Sequence, residues 1–243
     1  VTCVSLWFAC NAKWNVLFRD LGVPLGLCGS VLGATGMVLF TQDPNLVGPA
    51  TAIMLLTITY GGIVSALGYF SSFKRSKPSS QNSHKTAGWN AIILILVSFA
   101  GLLGWAMNNA AGLDAFINPV ALTVFGTTII AAILLSDSEH RIEVSCQASL
   151  LSAMISLIFG LVVLYQGFSG EGLNEGMYEG LSIAMNGLNY GLFSYISIYI
   201  VSYKFRTTVK IDAPLMNWHW MEVTGFLIFM FFAPETLRES LLH

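Results

Sequence analysis

Six stretches of this chain, at about residues 21–42, 48–73, 88–110, 117–136, 145–168 and 179–203, contain no Lys, Arg, Asp or Glu, except Glu179 at the start of the last. A helix needs roughly 20 apolar residues to cross the hydrocarbon of a bilayer, and each stretch qualifies. The expected fold class is therefore all-α, a polytopic transmembrane helical bundle of six helices in three hairpins. Composition agrees: 55% of the 243 residues are hydrophobic and 10% charged, against about 25% charged in a soluble domain. So few charges cannot cover a water-facing surface.

The placement of the basic residues orients the bundle. Lys13 and Arg19, then Lys74, Arg75, Lys77 and Lys85, then Arg141, then Lys204, Arg206 and Lys210 fall on one set of connections. The alternate connections hold Asp43, Asp114, Glu171 and Glu175 and no Lys or Arg. The positive-inside rule assigns the first set to the cytoplasm.

The chain then divides into an N-terminal apolar segment (1–20), a first hairpin (21–73), a polar basic cytoplasmic linker (74–87), a second hairpin (88–137), a third (145–204) and a C-terminal apolar segment (214–233). Residues 1–18 suit either a short span or an interfacial helix. The C-terminal segment suits a seventh span, with Trp218 and Trp220 at headgroup level. No basic n-region or small-residue cleavage site marks a removable leader.

The stretch from Asp43 to Phe70, DPNLVGPATAIMLLTITYGGIVSALGYF, carries a second layer of information. Asp43-Pro44, Gly48-Pro49, Ala52, Leu55-Leu56-Thr57 and Tyr60-Gly61 follow Gly29-Ser30 and Gly33 at fixed spacing. This pattern resembles the third and fourth transmembrane helices of the MotA/TolQ/ExbB family, the ion-channel subunits of energised membrane motors. Two departures are Ile58, where the family has a second Thr, and Pro24, slipped by one. Gly112 to Ile130 resembles the turn from the first to the second family helix, with Phe125 in place of a Gly. Residues 145–203 echo 21–73: Tyr190-Gly191 matches Tyr60-Gly61, Gly187 stands at the place of Thr57 and Asn189 at that of Thr59. The family's large cytoplasmic domain has no room between Ser136 and Glu143.

The resemblance implies a channel subunit of the bacterial inner membrane, a multi-pass homo-oligomer in the lipid bilayer. It implies a partner with one transmembrane helix, of the MotB/TolR/ExbD kind, whose Asp carries the proton or sodium ion. No carboxylate is placed at mid-span in the six stretches, which suits an acid supplied by a partner. The implied ion-pathway residues are Ser30, Thr57, Thr59 and Tyr60, and the helix-packing residues are Gly26, Gly29, Gly33 and Gly61. No cofactor, metal or nucleic acid is expected, the ion being cargo.

Each candidate has a plainer reading. Ser and Thr in membrane helices commonly bond a carbonyl one turn back, which covers Thr127 and Thr128 as well as the pathway set. Small residues let helix backbones approach in lipid. Asn186 and Asn189 are expected to hydrogen-bond between helices. Glu179 is expected to cap a helix start, where the dipole favours a carboxylate. His219 and Glu222, three apart, suit either a proton relay or an interfacial turn. Cys3, Cys10, Cys28 and Cys146 are scattered small apolar residues, and His84, His140, His219 and His243 make no metal set. No nucleophile–base pair or phosphate loop exists, so an enzyme is not expected. Two readings stay open: an ion-conducting subunit, or a non-conducting scaffold or assembly protein of the same fold, favoured by Ile58 and by the absent cytoplasmic domain.

The orientation is testable by cysteine labelling. Residues introduced at Lys77 and Glu171 react with impermeant reagents from opposite sides of the membrane. Labelling of both from one side would overturn the assignment.

Overall fold

Long apolar runs have one economical structure in hydrocarbon: helices, whose backbone groups satisfy one another. The computed structural model describes residues 14–40, 44–73, 88–110, 112–138, 140–166 and 175–205. They form α1 (Trp14–Phe40), α2 (Pro44–Phe73), α3 (Trp89–Ala110), α4 (Pro119–Leu135), α5 (Arg141–Gln166) and α6 (Glu175–Phe205), with one turn of 3₁₀ helix at Leu113–Phe116. Among the described residues there is no strand, and the fold is all-α. Four segments are long and apolar enough to cross a membrane: Trp14–Thr35, Met54–Ser71, Trp89–Ala110 and Arg141–Leu164. The chain is a multi-pass membrane protein. Residues 1–13, the linker 74–87 and the segment 214–233, with His219 and Glu222, lie outside the described residues.

Two boundaries differ from expectation. α1 starts at Trp14 and not near residue 21, so Arg19 and Asp20 are helical. α6 starts at Glu175, which leaves Glu179 in the second turn, exposed, and not at the helix start.

α6 is the axis of the bundle: α1, α3, α4 and α5 all pack on it, whereas α2 has its extensive contact with α1. The core runs along α6 through Leu181, Ala184, Met185, Leu188, Leu192, Tyr195, Ile196 and Ile200, against Leu17, Leu21, Leu27 and Val31 of α1 and Leu150, Ala153 and Leu157 of α5. α3 enters beside the far end of α6, where the rings of Trp89 and Phe205 meet edge to face at 6.0 Å and Lys204 lies 5.5 Å over Trp89. At its other end α3 closes on Gly112 (φ 79°), whose N–H bonds Asn108 O at 3.2 Å. Glycine takes that left-handed conformation without strain.

The two tightest helix pairs are α5–α6 and α1–α2, and both are built on glycine. A Cβ added at Gly61 would lie 2.6 Å from Gly22 O and 2.8 Å from Gly26 Cα. One added at Gly26 would lie 2.8 Å from Thr57 O. In α5–α6, Gly160 opposes Gly180 and Ala184, and Gly191 opposes Ser149 and Ala153. Backbones this close leave no space for a methyl group.

The neighbouring glycines Gly61 and Gly62 form a matched pair for a test. Nothing lies within 4 Å of a Cβ on Gly62. Gly61→Ala is expected to cost about 1–3 kcal/mol through overpacking. Gly62→Ala is expected to be neutral, or to stabilise by up to ~1 kcal/mol through helix propensity. Thermal unfolding of the purified protein in detergent reads the difference, and equal effects would contradict the α1–α2 packing.

Candidate functional site

The hydroxyl residues of the first hairpin separate into two groups. Ser30 is fully buried, and its hydroxyl crosses from α1 to donate to Met54 O on α2 at 2.9 Å. Thr57, half-buried, donates to the same carbonyl at 2.8 Å. The two hydroxyls, on different helices, thus share one acceptor. Thr59 donates to Leu55 O at 2.7 Å within its own exposed helix face, the plain intrahelical arrangement. Tyr60 is 60% exposed on the outer face of α2. Ser30 and Thr57 therefore come together, while Thr59 and Tyr60 look outward.

The helix-packing residues separate as well. Gly26 and Gly61 are in backbone contact with each other. Gly29 and Gly33 are exposed, with added Cβ atoms 3.6 Å from Thr57 Cγ2 and 3.1 Å from Met54 Cγ. Both lie on the exposed side of α1, beside the paired hydroxyls. Thr127 and Thr128 bond carbonyls of their own helix, at Thr123 and Val124.

A carboxylate that the apolar stretches exclude lies inside the bundle. Asp20 is 6% exposed. Its Oδ1 accepts from Arg19 Nε at 2.6 Å, and its Oδ2 accepts from the Tyr199 hydroxyl at 2.9 Å and from Arg19 Nη2 at 3.4 Å. Tyr195, Tyr199 and Tyr203 recur every four residues on α6, with ring centroids 6.3 Å and 5.7 Å apart. A charge in this environment persists only when paired and hydrogen-bonded, and this one is both. The bond also pins α1 to α6. A usable signal existed in the sequence: an adjacent Arg-Asp pair one turn before Pro24, and a tyrosine stripe at helical spacing.

A second polar network joins the α3–α4 loop to α6. The Tyr190 hydroxyl donates to Phe116 O at 2.7 Å and accepts from Asn118 N at 3.0 Å. Asn118 Nδ2 donates to Ser182 Oγ at 3.1 Å, while its Oδ1 caps α4 by accepting from Ala121 N at 3.0 Å. Asn186 Nδ2 donates to Ala115 O at 3.1 Å and to Ser182 Oγ at 3.2 Å. Asn186 thus bonds a loop rather than the neighbouring helix expected of it. Asn189 is fully buried, and neither of its side-chain polar atoms has a hydrogen-bond partner. Among the described residues no group of three or more His, Cys, Asp or Glu could hold a metal ion.

Comparison with known proteins places one part of the chain. It is 38% identical over 53 residues to the chemotaxis protein PomA of Vibrio alginolyticus. The match covers 22% of this chain and 21% of that protein, about the length of one helical hairpin here. No family model matches the chain, and no solved structure matches it. The partial identity supports a MotA-like relationship for a multi-pass membrane protein.

Proposed function

We propose that the chain is an ion-conducting subunit of a MotA/TolQ/ExbB-type complex in a bacterial inner membrane, carrying protons or sodium ions and coupling their flow to movement of a partner complex. The observation that carries this reading is the convergence of Ser30 and Thr57 on Met54 O, beside the exposed glycines Gly29 and Gly33. Thr57, the half-buried member of the pair, would present its oxygen to an ion as an acceptor, its proton being given to Met54 O. Hydroxyl and carbonyl oxygens replace part of an ion's hydration shell.

The titrating acid in this reading comes from an Asp on a single transmembrane helix of a MotB-like partner. A face of small residues lets such a helix approach closely. Copies of the chain would surround the partner helices through the exposed apolar faces of α2 and α3, which carry Leu56, Ile63, Leu67, Leu94, Val97 and Trp105. The partial PomA identity supports the same reading.

One observation favours the alternative, a non-conducting scaffold of the same descent. The α4–α5 connection is the short segment 136–140, with no cytoplasmic domain at that point to engage a moving partner.

Thr57→Val keeps the shape of the side chain and removes its oxygen, and Ser30→Ala removes the second. In proteoliposomes with the partner, the double variant is expected to lower ion flux by about 10-fold or more while the complex still co-purifies, the loss of roughly 1.4 kcal/mol of ion stabilisation. Unchanged flux in an intact complex would sink the pore role and leave the scaffold.

A further inference from the structure

The α3–α4 loop is held partway along α6, not level with its first turn. The Trp89–Phe205 contact sets the start of α3 level with the end of α6. The 22 residues of α3 climb about 33 Å, which brings Ala110 level with about Ile183. From there the chain turns back. Phe116 and Asn118 are bonded to Tyr190, about 10 Å deeper along α6 by helix rise. α4 is correspondingly short, 17 residues from Pro119 to Leu135. Non-helical backbone at such depth is tolerated where protein buries it or where it lines a wet cavity.

Two buried amides near the loop's anchor point have unused hydrogen-bonding capacity, an acceptor oxygen on each. Ala115 O can only accept, so the Asn186 amide cannot be flipped, and its oxygen is the atom left over. That Oδ1 is buried without a partner, as are both polar atoms of Asn189. The two residues are three apart on α6 and share a face. The charged residues of this end among the described ones are Asp114, Glu175 and Glu179, all acidic, with Asp114 and Glu179 exposed, so the local field attracts cations. No carboxylate reaches the amides themselves. Neutral oxygens suit a monovalent ion that keeps some of its water, whereas a divalent ion requires carboxylates.

We infer that Asn186, bonded to the loop 112–118, and Asn189, one turn further along α6, form a binding site for a small monovalent cation, sodium or potassium, ligated by their amide oxygens. The site lies on α6, whereas the Ser30–Thr57 pair lies between α1 and α2. It concerns a different part of the chain from the proposed ion path and stands without it.

The test uses the full chain in lipid nanodiscs. Thermal unfolding is followed while sodium or potassium chloride replaces choline chloride at constant ionic strength, together with equilibrium binding of radiolabelled sodium and rubidium. A saturable rise in Tm with sodium or potassium and one saturable binding component are expected. Asn189→Leu abolishes both. Asn189→Asp tightens the apparent Kd about 10-fold by placing a charge on the ion, and it decides the matter should the Leu variant fail to fold. The Ser30→Ala/Thr57→Val protein retains the response. The inference is overturned by a wild-type protein that does not distinguish choline from sodium and potassium. It is equally overturned by an Asn189→Asp variant with unchanged affinity, or by a response lost only in the Ser30/Thr57 variant.

Discussion

Helices in hydrocarbon gain little from pressing Leu against Leu, because lipid tails offer the same contact. What holds them together is close backbone approach and polar groups with nowhere else to go. The α1–α2 and α5–α6 pairs meet the first requirement through Gly22, Gly26 and Gly61, and through Gly160, Gly180 and Gly191. A single methyl group at Gly61 would fall within the radius of a backbone oxygen. The helix order around α6 follows from these tight pairs, with α3 and α4 filling the remaining sides of the axis.

Polar contacts supply what glycine packing cannot, a fixed vertical register. Tyr199 donating to Asp20 holds α1 against α6 at one level. Tyr190, Ser182 and Asn186 hold the α3–α4 loop at another. An antiparallel pair pinned by the first bond places Asn189 level with Ser30, ten residues along each helix or about 15 Å. Pro24 has no N–H, so the Asp20 carbonyl lacks its intrahelical partner at the turn where the carboxylate is tied to Arg19 and Tyr199. The weakest point of α1 is also its most cross-linked.

Much of this was legible in the sequence, for a physical reason: the cost of exposing a charge to hydrocarbon writes helix spans directly as uncharged runs. The run 88–110 became Trp89–Ala110 and the run 117–136 became Pro119–Leu135. The same logic concealed Asp20. Counting charges treats every carboxylate as the edge of a helix, whereas a carboxylate with an Arg and a Tyr to bond can lie inside one. Partners more than 70 residues away were equally out of reach, so the anchoring of Phe116 and Asn118 to Tyr190 could not be read from either segment. Of the site, the residue types Ser30 and Thr57 were legible and their common acceptor was not.

The first and third hairpins differ in where the hydroxyl lies. By the alignment of Tyr60-Gly61 with Tyr190-Gly191, Gly187 takes the place of Thr57. The side chain facing Gly187 across the interface is Ser156, just as Gly29 faces Thr57. The hydroxyl has changed helix: large on α2 and absent on α1 in one hairpin, absent on α6 and present on α5 in the other. The second pair closes more tightly at this point: an added Cβ lies 3.6 Å from Thr57 Cγ2 at Gly29 but overlaps the Ser156 side chain at Gly187. The surroundings are not conserved. Thr57 is half-buried beside exposed Gly29, on a pair whose α2 has its extensive contact only with α1. Ser156 is fully buried, in a pair enclosed by α1, α3 and α4 around α6. A helix or ion arriving from outside the chain can reach the first hydroxyl and not the second. Both pairs pack a glycine against a hydroxyl residue, and the open side of α1–α2 leaves the first hairpin's hydroxyl the accessible one.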